Sequence, residues 1–121
     1  MTTSGAQAAA FYDEALRTGS VWTVSDDGGH PAPLTSDGSR ALPFWSLRSR
    51  AERIVANVPA YAGFSVEAVS LDEFRTSWLP GLEQDGLRVG LNWSGARATG
   101  YDLDPRDVER NLAALERGTS G

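Results

Sequence analysis

With 121 residues and a formal net charge of −5, the chain has the length of one domain, and its 40% hydrophobic and 22% charged residues exclude a disordered chain. The absence of cysteine excludes disulfide frameworks, thiolate zinc sites and cysteine nucleophiles. All 11 basic residues are arginine, which excludes Schiff-base and P-loop lysines, and the acidic balance disfavours a broad nucleic-acid footprint.

The arginine bias, with many Ala and Gly, is what codon usage in a GC-rich genome produces. No apolar run approaches a membrane span, and "MTTSGAQAAAFYDEALRTG" lacks the basic start of a signal peptide. The expectation is a cytoplasmic bacterial protein with no cofactor, no membrane association and no nucleic-acid partner.

Residues 4–18 predict a helix, with Ser4 and Gln7 as a capping box, Ala8, Phe11, Tyr12, Ala15 and Leu16 on one face, and Gly19 as its stop. "SVWTVSD" reads as a strand and "DDGGHPAP" as a loop. "PLTSDGSRALPFW" predicts a hairpin around Asp37-Gly38. Ser46 is the expected N-cap of a second helix, in which Leu47, Ala51, Ile54, Val55 and Val58 form a half-buried stripe ended by Pro59. "GFSVEAVS" is a strand, and "SLDE" caps a helix that turns Leu71, Phe74, Trp78 and Leu79 inward. Pro80 and Gly81 break or restart that helix, and Asp85-Gly86 turns the chain into "LRVGLNW". Asp104 and Pro105 open the last helix, with Leu112 and Leu115 on its inner side.

This order predicts a single α+β domain over 1–121 with short flexible ends at 1–4 and 118–121. Its expected architecture is a mainly antiparallel sheet of five to six strands under about four helices. In the C-terminal hairpin, a strict two-residue turn at Ser94-Gly95 would set Leu91 against Ala98. An odd-length connection is preferred, because it gathers Leu87, Val89 and Leu91 with Leu103, Tyr101 and Thr99 on one face. The other face then carries Arg88 against Asp102 and Gly90 against Gly100. That glycine strip admits close approach by a packed helix or by a ligand.

Catalytic signatures are sparse. His30 is the only histidine; with Asp26 and Asp27 it could supply three metal ligands, but turn formation explains the same residues, and no metal is expected. Glu73 and Asp104 lie where helix N-termini favour acids. "GLNWSG" is followed by Ala96-Arg97 where a phosphate loop needs Lys and Ser/Thr. Arg50 and Arg53, at i, i+3, are neighbours on the second helix, while Arg48 flanks the other edge of its apolar stripe.

The ordered set Trp22, Pro43-Phe44-Trp45-Ser46, Trp78-Leu79-Pro80-Gly81 and Asn92-Trp93-Ser94-Gly95 resembles domain-of-unknown-function family 2750, from about Phe11 to Leu115. The resemblance implies a compact bacterial α+β domain and carries over no catalytic residue. "ALPFWSLRSRAERI" and "GLRVGLNWSG" are similar, more loosely, to SseB-type secretion-associated domains, which implies protein binding rather than catalysis.

The leading expectation is a non-enzymatic module that binds another protein, in a regulatory or immunity-type role. Arg40, Arg48 and Arg97 would supply charged contacts and Trp45 and Trp93 partly exposed anchors, beside Asn92. The alternative is a small-molecule binder or enzyme with a pocket at Gly90 and Gly100, using His30, Asn92, Arg97 and Tyr101.

Overall fold

A computed structural model describes residues 3–35, 37–96 and 98–120, with the backbone alone at 3, 4, 119 and 120. The predicted Ser4 cap therefore lies outside the described side chains. Helix α1 (Thr3–Thr18) buries Ala8, Phe11, Tyr12 and Ala15 at the i, i+3, i+4, i+7 spacing. It ends at Gly19, whose φ of 77° lets its N–H return to Ala15 O at 2.8 Å.

Strand β1 (Ser20–Ser25) pairs antiparallel with β3 (Ser65–Ser70). Strand β2 (Ala41–Phe44) runs parallel to β4 (Arg88–Ser94), which pairs antiparallel with β5 (Thr99–Leu103). One sheet of five to six strands was expected; the five strands form a two-stranded and a mixed three-stranded sheet instead. Pro43 is the reason. Trp22 and Trp45 exchange both backbone hydrogen bonds at 2.7 Å, so the next pair along this ladder would need an N–H from Pro43. Proline has none, and the ladder stops after one pair. The carbonyl of Pro43 is satisfied instead by the buried Thr23 hydroxyl at 2.9 Å.

The predicted hairpin at Asp37-Gly38 is a tight turn with one strand arm. Thr35 N–H reaches Ser39 O at 2.7 Å, Gly38 has φ 89°, Leu34 bridges Arg40, and Ala41 N–H reaches Pro33 O at 3.1 Å. The Thr35 hydroxyl and the Ser39 amide hold the exposed Asp37 carboxyl down to about 2.

Helix α2 (Arg48–Asn57) follows β2, and a 3₁₀ turn (Pro59–Tyr61) leads on to β3. From Ser70 the chain forms one continuous rod over 71–84, composed of α3 (Leu71–Glu73), a π segment (Phe74–Trp78) and α4 (Leu79–Gln84). Ser70 Oγ accepts the Glu73 N–H at 3.0 Å, as the capping signature predicts. Of the two outcomes expected at Pro80, the restart is present and the break is not: α4 begins at Leu79 with the proline in its first turn. Widening the turn so that Leu79 N–H bonds Phe74 O lets the rod pass through a proline that a regular α-helix would expel.

Helix α5 (Pro105–Ser120) is fastened to the rod by Arg75, which donates to both Glu109 oxygens at 2.9 and 2.7 Å and to Glu116 at 3.0 Å. Among its described side chains Pro105, Val108 and Leu112 are buried; the expected inner Leu115 is 44% exposed, one turn beyond the core.

The core has two clusters. Phe11, Leu42, Phe44, Phe74, Leu91 and Leu112 pack where α1, the rod and α5 cover one face. Val24, Trp45, Ile54, Tyr61 and Trp93 pack beneath α2 on the other. No helix among the described residues is long and apolar enough to cross a membrane.

Candidate functional site

The site grows from Asn92. Leu91 lies opposite Tyr101 and Ser94 opposite Thr99, so Asn92 and Trp93 together oppose Gly100 in a β-bulge. Asn92 has a left-handed φ of 53° and only 2% exposure. Its Oδ1 accepts from Ser46 N at 2.9 Å, and its Nδ2 donates to Ser46 Oγ at 2.9 Å and to Gln7 O at 3.2 Å. Ser46 Oγ also donates to Glu14 Oε1 at 2.6 Å, and Arg50 closes the network with a two-pronged contact to Glu14 at 3.0 and 2.9 Å.

Ser46 is therefore not the cap of α2. Leu47 takes the N-cap position without a side-chain hydrogen bond, because the Ser46 hydroxyl is drawn into this buried network. Arg50, and to a lesser degree Ser46, hold the Glu14 carboxyl below its ordinary range against the opposing effect of burial. No buried side-chain nitrogen or oxygen among the described residues lacks a partner.

The bulge also decides the glycine strip. It turns the Trp93 indole across the sheet beside Gly90 and Gly100, and the indole Nε1 donates to Tyr101 O at 2.9 Å. A Cβ on Gly90 would lie 2.8 Å from that Nε1 and closer to two ring carbons; one on Gly100 would lie 3.0 Å from Trp93 Cδ1 and 2.9 Å from Gln7 Oε1. The chain's own tryptophan fills the strip at Gly90, and at Gly100 it is joined by Gln7 of α1. The pairing is also displaced by two residues from the predicted register, with Gly90 opposite Asp102, although the faces are as predicted. Arg88 still reaches Asp102, donating from Nε at 2.5 Å.

The predicted anchors are corrected likewise. Trp45 is 0% and Trp93 5% exposed, joined by Trp45 Nε1 donating to Trp93 O at 2.8 Å, so neither indole projects as a partly exposed anchor. Arg40 and Arg48 sit beyond opposite ends of β2, Arg40 donating to Ala32 O at 2.9 Å and Arg48 to Glu52 at 2.9 Å. They do not converge. Arg97 lies outside the described residues. His30 bonds Glu67 at 2.9 Å and meets Trp78 edge-on, away from the bulge network, while Tyr101 is 45% exposed. Asp26 turns its carboxylate to the Gly28 N–H at 2.8 Å.

What the structure does bring together is a cleft of about 340 Å³ between α2 and the β4–β5 connection. Ile54, Val58 and Trp93 supply its apolar wall; Arg50, Arg53, Asn57 and Asn92 supply its polar one. Among the described residues Arg53 makes no ion pair or side-chain hydrogen bond. Sequence reasoning placed Arg50 and Arg53 side by side but missed Glu14, whose role depends on α1 bringing it within side-chain reach of Ser46 and Arg50. Its only signal is an acid following the apolar stripe Phe11-Tyr12.

Fold and site together define a single-domain α+β protein whose interior polar groups are all engaged and whose one described cation without a partner in this region faces a cleft. The profile described as "Protein of unknown function (DUF2750)" matches residues 8–112, and the chain belongs to that family. No curated protein sequence matches it. Among solved structures, Anabaena Tic22 (protein transport) is similar at a TM-score of 0.40 and 16% identity, covering 70% of this chain and 44% of that one. The chain thus spans less than half the length of that structure.

Proposed function

We propose that this protein is a non-catalytic binding module that receives a carboxylate-bearing segment of another protein in the cleft between α2 and the β4–β5 connection. The observation that carries the reading is Arg53, a guanidinium without an internal partner beside an apolar wall. A carboxylate offers such a group a two-pronged, charge-assisted contact, and the Ile54, Val58 and Trp93 surface gives flanking apolar side chains somewhere to settle. Arg50 contributes shape rather than charge, since Glu14 already neutralises it. The polar interior supports a binding role over a catalytic one: Ser46, Asn92 and Thr23 spend their hydrogen bonds on holding elements together. A regulatory or immunity-type protein acts in this way, by occupancy.

The test is fluorescence polarisation against labelled peptides carrying Glu or Asp between apolar residues, with Gln and Asn counterparts. The expected result is selective binding of the acidic peptides, weakened by salt and lost in Arg53→Glu with the thermal midpoint unchanged. Equal binding of the neutral peptides, or indifference to Arg53→Glu, would overturn the proposal.

A further inference from the structure

A second cleft of about 340 Å³ lies beside the rod, and its chemistry is the reverse of the first. Leu42, Leu82 and Leu87 form its floor, the Trp78 indole stands in it, and His30 and Asp85 occupy its rim. The π segment is what aims Trp78. One extra residue in the turn keeps Phe74 buried while Trp78 packs its ring against Phe44, at 5.5 Å and 86°, and remains partly open. His30 meets the same ring at 5.0 Å and 89°, so two edge contacts fix the indole.

Asp85 is the unusual group. It caps the C-terminal end of α4, where the helix dipole disfavours an anion, and its carboxylate makes no ion pair or hydrogen bond among the described residues. Glu67 stands behind His30 as a second carboxylate, and among the described residues no arginine lines the cleft. A half-buried aromatic ring, an apolar floor and an uncompensated carboxylate are together the receptor for an organic cation on an apolar stem. We infer that the Trp78 cleft binds an alkyl guanidinium or ammonium group, its stem on Leu42 and Leu82, its head between the indole and Asp85. This inference is independent of the carboxylate cleft.

The experiment is a ¹H–¹⁵N titration of the full chain, reading the Trp78 indole N–H, which Trp78→Phe assigns. The probes are butylguanidinium, its neutral counterpart butylurea, and the blocked tripeptide acetyl-Gly-Arg-Gly-amide. Both cations should give saturable shifts, with affinity about tenfold weaker for butylurea and in Asp85→Asn. Asp85 is exposed, so this variant keeps the fold. A stronger response to the tripeptide identifies the ligand as a protein side chain, and equal or stronger response to butylguanidinium a free small cation; both uphold the site. Equal binding of butylurea, an unchanged affinity in Asp85→Asn, or no Trp78 shift with either cation would overturn it.

Discussion

Asn92 occupies a left-handed conformation that disfavours most side chains, and its amide then satisfies two elements at once. It accepts from the start of the α2 approach at Ser46 and donates to the α1 backbone at Gln7. Asn92→Ala leaves the Ser46 N–H without its partner and sets in the left-handed region a residue that lacks asparagine's tolerance for it, at a cost of about 3 kcal/mol. Asn92→Gly removes the strain but not the loss, and should be milder by about 1 kcal/mol. Urea denaturation of both variants measures the difference. At Gly90 the obstacle is steric. A Cβ there overlaps the Trp93 ring, so Gly90→Ala should cost about 2 kcal/mol. In Gly90→Ala with Trp93→Leu, the combined loss should fall short of the sum by about 1 kcal/mol or more, which a double-mutant cycle reads directly. The glycines were visible in the sequence as places of close approach. Their occupant was not, because it is set by a bulge that exists only once Asn92 finds Ser46, 46 positions away.

Helix signals were legible to the extent that they are local. The Ser70 cap and the stops at Gly19 and Gly86 each depend on a few adjacent residues, and all three are present. Ser70→Ala should therefore cost about 1 kcal/mol, measured by thermal or chemical unfolding. Ser46 carries the same local signal and fails as a cap, since a tertiary acceptor and donor outbid a helix end for its hydroxyl. Pro80 restarts the helix rather than breaking it, for a related reason. The preceding π turn absorbs the ring, and packing of Phe74, Leu79 and Leu82 holds the widened turn in place. Propensity describes an isolated segment, and both exceptions lie where another element reaches in.

Across the molecule, ion pairs join elements that are distant in the chain. Glu14–Arg50 ties α1 to α2, and Arg75–Glu109 ties the rod to α5. Arginine hydrogen bonds hold Glu14 and Glu109 below the ordinary glutamate range. A carboxyl lowered in the folded state contributes stability that is complete above its unfolded value, near pH 4.3, and lost as pH falls through its folded value. Unfolding free energy should accordingly hold level from about pH 7 to pH 5 and decline below about pH 4. Denaturant titrations across that range check this, and Glu14→Gln should flatten part of the slope. The sheet junction has its own test: Thr23→Val strips the Pro43 carbonyl of its donor and should cost about 1–2 kcal/mol.

Pro43 has one more effect. Dividing a five-stranded sheet in two creates two additional strand edges, and unpaired edges are where foreign chains add on and aggregation begins. Here the new edges face each other. The Trp22–Trp45 pair closes one end of the seam, and the Thr23 hydroxyl takes the acceptor that the proline leaves open. The protein carries a split sheet without presenting the split to other molecules.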